Sequence, residues 1–326
     1  MPLTRIALIA LALVAAVAPL ASEAAYPDKP IRLIIPFSAG ASADNYARIA
    51  ASKLTERLGQ PVIVEARPGA NGIIATELVA KAPPDGYTLL LVNSAFSINR
   101  ALYKKLPFDA ERDFVATGLV AIPSSLMLVA HPSLPARTER ELIELAREKP
   151  NQISYGSAGV GNVLHLTGET FNALAGVKLL HVPYKGAAPA LNDLLAGQVH
   201  LMWNASGLVL PHARAGRLRV LAASGTRRAP DFPDVPTLHE AGVTGYNVTS
   251  WFGILAPSAT PKDIVQRLRT ETHHSMQQPD ARERLVQFGA DPPDMTPEEF
   301  TVFVQQDAVR TAEIVKRVGL ALETPK

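Results

Sequence analysis

The sequence predicts an α/β protein of two lobes joined by two crossover strands, and three observations carry that reading. Apolar strand-like runs alternate with amphipathic helices along most of the chain, the order that builds parallel sheets covered by helices. Two stretches then share one design, an apolar run that empties into a Gly/Ala/Ser turn opening a helix: IRLIIPFSAGASADNYARIA from Ile31 to Ala50, and ISYGSAGVGNVLHLTGETF from Ile153 to Phe171. Finally, SSLMLVAHPSLP and SWFGILAPSATP look alike, each an apolar strand with a Pro-punctuated exit. They read as the chain leaving the first lobe near Ser125 and returning near Ser250.

The elements follow in order. Residues 1–25 form a leader: Arg5 precedes an apolar run from Ile6 to Ala18, then Pro19 and a small-residue stretch ending SEAA before Tyr26, which is the pattern of a secretory signal. The run is short for a bilayer span, and a membrane anchor is the competing reading. Residues 26–124 begin the first lobe, with a strand Ile31 to Ile35, a helix Ala43 to Leu58, a strand Val62 to Glu65, a helix Gly72 to Ala80 and a strand Thr88 to Val92. In the first helix Ala47, Ala50, Leu54 and Leu58 recur at helical spacing, a buried stripe, while PPDG and RPGANG mark turns.

Residues 125–249 form the second lobe. It holds the apolar segment Ser125 to Ala130, a helix near Arg137 to Glu148, a strand near Ile153 to Tyr155 and a helix Asn162 to Ala175. A strand Leu179 to Val182, a helix Ala187 to Ala196 and strands Leu201 to Trp203 and Leu218 to Ala222 follow, before a Pro-rich connection, RRAPDFPDVPTL. Residues 250–326 return to the first lobe through Ser250 to Ala256 and finish in three helices, Lys262 to Gln277, Asp280 to Phe288 and Pro297 to about Val318.

Composition narrows the function. The 326 residues suffice for two domains of ordinary size, and a hydrophobic content of 47% excludes disordered and fibrous classes. A net charge of +2 with no basic run argues against a nucleic-acid partner. The chain has no cysteine, which removes disulfides, thiol catalysis and Cys-ligated zinc together.

Each repeated turn leaves backbone N–H groups at a helix start, where the helix dipole also favours negative charge. In the first, Pro36 to Asp44, the side chains are small, Ser38 and Ser42 add hydroxyls, and Ser42 stands where a helix cap would. Asp44 would repel an anion directly, so its expected task is to accept the loop's own N–H groups and hold it open. Around the second, GSAGVGN, Ser157, Asn162 and His165 form a donor-rich helix start. Two such cradles suggest a cleft that grips a small anion from both sides.

Other motifs fall away. No acidic residue follows at the ribose distance of a dinucleotide site, and Tyr155 stands where a nucleophile elbow needs glycine. His239-Glu240 lacks the last ligand of a zinc-protease motif, and His273-His274 reads as a solvated helix face. Asn204-Ala205-Ser206 and Asn247-Val248-Thr249 match glycosylation sequons only as short patterns. A secreted hydrolase using Ser157 and His165 is an alternative, but taken along one helical run eight residues separate them, and no orienting acid is evident. Tyr184-Lys185-Gly186 and Asn204 end strands, where α/β sheets hold ligands.

Read together, YPDKPIRLIIPFSAGASAD, GQPVIVEARPGANG, APPDGYTLL, LHVPYKGAAPALNDLLAGQV, DVPTLHEAG and SWFGILAPSATP resemble the Bug, or TctC-like, solute receptors of tripartite tricarboxylate transporters. The resemblance implies a type II periplasmic binding protein that closes by hinge motion on a small organic carboxylate, without a cofactor, and delivers it to membrane permease subunits as a monomer. It implies a ligand set of Phe37, Ser38, Ala39, Gly40, Ser42, Asp44, Asn93, Ser94, Ser157, Ala158, Gly159, Asn162, His165, Tyr184 and Asn204. A receptor that presents its ligand to a sensor protein fits the same residues. The family's first loop usually reads close to PFPPGGGTD, so the serines and alanines here shift the donor pattern. The second turn commonly ends in threonine where Asn162 stands. The family often has aspartate at Asn204, and a neutral amide there disfavours ammonium-bearing ligands.

Overall fold

The computed structural model describes residues 26–37, 40, 42–123 and 125–320, with the Ser42 side chain left out. The leader call on residues 1–25, and the calls on Ser38, Ala39 and the Ser42 hydroxyl, lie outside what is described. Among the described residues no helix is long and apolar enough to cross a membrane.

Two mixed sheets organise the chain. The first holds β1 (Ile31–Ile35), β2 (Val62–Ala66), β3 (Thr88–Asn93), β4 (Phe114–Pro123), β10 (Phe252–Pro257) and β11 (Ala290–Asp291), in the order β11-β4-β10-β3-β1-β2. The second holds β5 (Leu126–Ala130), β6 (Ser154–Ser157), β7 (Leu180–Pro183), β8 (Leu201–Ala205) and β9 (Arg219–Ala223), in the order β7-β6-β8-β5-β9. Within them β2-β1-β3 and β7-β6-β8 run parallel, so their carboxyl ends share an edge in each sheet.

Burial on both faces explains the unbroken apolar strands. Ile31, Leu33 and Ile35 of β1 lie against the Tyr46, Ala47, Ala50 and Leu54 stripe of α1 (Ser42–Leu58). Ile34 points the other way, into a cluster with Ala75 and Val79 of α2 (Ile73–Ala80) and Phe300 of α10 (Pro297–Arg317). Each of the isoleucine, leucine, valine and phenylalanine side chains contributes about 1.5–3 kcal/mol on burial. The second sheet packs Met127, Leu128, Trp203 and Leu201 with Leu142 of α4 (Glu139–Glu148) and Phe171 of α5 (Val163–Ala175). That cluster also takes in Leu102 of α3 (Ala95–Leu102) and Val315 near the end of α10, so both helices tie the two sheets together.

The two look-alike segments each belong wholly to one sheet: β5 sits inside the second, β10 inside the first. The passages between sheets lie just before them and run side by side. Phe252 pairs with Ala121, and on the other side Ser224 joins both passages, its Oγ accepting from Leu126 N–H at 3.2 Å and donating to the Val248 carbonyl at 2.9 Å. The chain thus passes between the sheets at two adjacent places, between β4 and β5 and ahead of β10.

Pattern reading passes over α3, β4, β11 and α7 (Ser206–Arg214). α7 carries Gly207 and Pro211 inside it, α3 buries Ser97 and Asn99 among its apolar residues, and β4 is covered on both faces with Gly118 in the middle. β4 and α7 thus lack the local periodicity that marks an element from sequence.

Candidate functional site

Among the described residues Phe37, Asn93, Ser157, Tyr184 and Asn204 lie at or just past the carboxyl ends of parallel strands, where open α/β sheets place ligands. On the first sheet the turn after β1 is braced from within: Asp44, only 4% exposed, accepts the Gly40 N–H at 3.0 Å and the Arg48 Nε at 3.0 Å through the same Oδ2. Phe37 is half-buried, its ring edge-on to Phe252 at 5.7 Å, and Phe252 tilts against Tyr46 at 5.1 Å. At the end of β3, Asn93 Oδ1 accepts from Ala95 N–H at 3.0 Å and caps α3, while Ser94 Oγ lies 3.1 Å from Ser250 Oγ. Both side chains are buried and spoken for within the fold.

The turn after β6 is built around a second set. Ser157 is the last residue of β6, so it shares no helix with His165. Its Oγ lies 2.6 Å from Nε2 of His181 on β7, accepts the Gly159 N–H at 3.2 Å and reaches the Gly159 carbonyl at 3.2 Å. His165 Nδ1 accepts the Gly161 N–H at 3.1 Å, and its ring stacks on His181 with centroids 3.9 Å apart. Tyr155 stacks on the far side of His181 at 5.0 Å and donates its hydroxyl to Glu169 at 2.6 Å. Burial, then the neighbouring His165, pushes His181 down to about 3, and burial lowers His165 against the opposing pull of Glu169. Both imidazoles are neutral structural bases. Asn162 caps α5, its Oδ1 accepting from Leu164 N–H at 2.9 Å.

What remains for a ligand here is backbone. Among the described residues the Ala158 N–H has no intramolecular partner, and the start of α5 supplies the positive end of a helix dipole.

The remaining candidates are turned inward. Tyr184 donates its hydroxyl to Asp193 at 2.8 Å, and burial followed by that carboxylate pushes it up to about 12. Asn204, 4% exposed, accepts the Ala205 N–H at 2.9 Å, and its Nδ2 lies 3.8 Å from Met202 Sδ. Among the described residues no group of three or more histidines, cysteines, aspartates or glutamates is placed to hold a metal.

The turns of the two sheets meet through RPGANG. A Cβ on Gly72 would lie 3.1 Å from Pro36, at the root of the first turn, and the adjacent Asn71 donates from Nδ2 to the Gly161 carbonyl of the second turn at 2.7 Å. On another seam the backbones of Gly207 and Phe288 touch, with Tyr46 donating its hydroxyl to the Phe288 carbonyl at 3.0 Å. Sequence reading takes RPGANG as a turn alone and does not single out His181, though it stands three residues before Tyr184 in a quoted motif. Neither role is visible without the pairing of β6 with β7 and the approach of the two sheets.

A family model described as the tripartite tricarboxylate transporter family receptor matches residues 46–320. Protein BugT of Bordetella pertussis is 35% identical over 301 residues, covering 91% of this chain and 92% of that protein. The structure of Rpa4515 of R. palustris with adipate superposes with a TM-score of 0.85 at 34% identity, covering 91% of this chain and 99% of the other. That of MatC from Rhodopseudomonas palustris with bound malate gives 0.82 at 31% identity, covering 89% and 100%.

Proposed function

The chain belongs to the tripartite tricarboxylate transporter receptor (TctC) family, and on that premise we propose that it is an extracytoplasmic receptor for a small organic carboxylate, handing its ligand unchanged to membrane permease subunits. The observation that carries the reading is the meeting of two donor-bearing turns from separate sheets, the one after β1 and the one after β6, across the Asn71 contact. The similar Rpa4515 and MatC structures hold adipate and malate, both dicarboxylates.

In this reading residues 26–124 and 250–326 act as one lobe and 125–249 as the other, hinged at the junctions around Ser224. The carboxylate is held by the turn after β1 on one side and by the Ala158 N–H and the start of α5 on the other, in a site whose depleted water strengthens charge-assisted hydrogen bonds. Asp44, His165 and Asn162 shape those turns; Asn93, Ser94, Tyr184 and Asn204 wall the pocket. Ligand binding shifts the hinge towards closure, and the permease recognises the closed form. A non-catalytic role is favoured by Ser157, which is fully buried with its hydroxyl engaged by the fold.

A thermal-shift screen over small carboxylates, including adipate and malate, tests this. A ligand that binds only the native state stabilises it by mass action, by about 2.7 kcal/mol at a hundredfold excess over Kd, and so raises Tm. A selective shift for one carboxylate class is expected; no shift from any carboxylate at millimolar concentration would overturn the reading.

A further inference from the structure

Asn71 occupies a left-handed backbone conformation, φ 50 and ψ 37, directly after Ala70 at φ 44. Asparagine tolerates that region better than other side-chain-bearing residues, and two such residues in succession persist only where the surroundings hold them. The holding group is Asn99, which is 3% exposed. Its Nδ2 donates to the Asn71 carbonyl at 2.9 Å, and its Oδ1 accepts one Asn71 amide hydrogen at 2.9 Å. The second amide hydrogen goes to the Gly161 carbonyl at 2.7 Å, and Asn162 Nδ2 approaches Asn71 Oδ1 at 3.5 Å.

Gly161 fits the same contact from the other side. At φ +77 it takes a conformation suited to glycine, and a Cβ there would lie 2.8 Å from Leu102 Cδ1. With its N–H given to His165, its carbonyl is aimed at Asn71. A constrained loop of the first sheet thus spends both amide hydrogens of Asn71, one on its own brace and one on the opposite turn.

We propose that Asn71 is the closure-setting residue of this receptor: it clasps the Gly161 turn without touching ligand and fixes how much of the closure free energy the ligand must supply. The inference rests on the carboxylate-receptor reading for its effect on affinity, because apparent affinity scales with the population of the competent state. Closure itself is independent of what the ligand is.

The test uses the absence of cysteine in the natural chain. Lys81→Cys and Arg140→Cys, exposed positions on the two sides, carry spin labels whose separation is measured by pulsed electron resonance without ligand. Asn71→Gly is the informative variant, since it keeps the left-handed backbone and removes only the amide; Asn99→Ala removes the brace. With circular dichroism unchanged, the short-distance population is expected to fall roughly tenfold in Asn71→Gly, as the loss of about one net hydrogen bond implies. Dissociation of the carboxylate selected by thermal shift should quicken by about the same factor. A doubly labelled parent with no short-distance population, or an Asn71→Gly distribution matching the parent's, overturns the clasp. If no carboxylate binds any variant, the receptor reading fails while the distance measurement still judges the clasp.

Discussion

Ser157 Oγ, at the carboxyl end of β6, lies 2.6 Å from Nε2 of His181 on the adjacent parallel strand β7. The distance is that of a serine–histidine dyad, but the surroundings are those of a structural joint. A hydroxyl carries one proton, and here it has two acceptors within reach, His181 and the Gly159 carbonyl, while its own lone pair takes the Gly159 N–H. Ser157→Ala therefore leaves a buried imidazole nitrogen and a turn amide unpaired, a loss of about 1–3 kcal/mol. Tm should fall accordingly, and ester hydrolysis should stay at the uncatalysed rate in parent and variant alike. Measurable turnover that disappears in Ser157→Ala would restore the hydrolase alternative.

Acid sensitivity follows from the same pair. His181 titrates near 3 in the fold against 6.5 when unfolded, so between those values the unfolded chain binds a proton that the native protein refuses. Stability then rises with pH through this window and levels off above it. His165, also lowered by burial, acts in the same direction. Carboxylates such as Glu65, lowered chiefly by Arg32, add acid loss only below their unfolded value of 4.5. Urea midpoints measured from pH 7 down to pH 5 should decline in the parent and decline less in His181→Gln; an identical slope would remove His181 as the cause.

How much of this could be read without coordinates depends on the range of the contacts. The helix Lys262–Gln277 and the cap at Asn162 are set by local pattern, and sequence places them within a residue. The edge position of the GSAGVGN turn is equally local, a strand giving way to a helix. His181 and Asn71 acquire their roles only from partners 24 and 90 residues away, and nothing in LLHVPYKG or RPGANG names those partners. The side chains expected to meet ligand at Ser157, Asn93 and Tyr184 look free in sequence because the partners that engage them are set by the fold.

Asp44 controls the first turn through its Oδ2, which holds Gly40 N–H and Arg48 Nε at 3.0 Å each. Hydrogen bonds to a charged group contribute about 1.5–3 kcal/mol, and the turn they order is the one proposed to cradle ligand. Asp44→Ala should weaken carboxylate binding by roughly ten- to a hundredfold, with Asp44→Asn intermediate because it keeps an acceptor. Calorimetric titration of both variants checks the order; unchanged affinity in Asp44→Ala would detach this turn from the site.

Asn204 offers a test of ligand charge. Its Oδ1 already accepts the Ala205 N–H at 2.9 Å, a contact that an aspartate oxygen reproduces without moving the backbone. Asn204→Asp would thus keep the local geometry while adding a negative charge at a position only 4% exposed. Beside a bound carboxylate that charge is repulsive, and beside an α-ammonium it is a partner, so the substitution separates two ligand classes by sign alone. Affinity for the plain carboxylate selected by thermal shift is expected to drop at least about tenfold, with aspartate or glutamate gaining relative to it. Equal losses for plain dicarboxylates and amino acids would place Asn204 away from the ligand and leave its amide a purely local brace of β8.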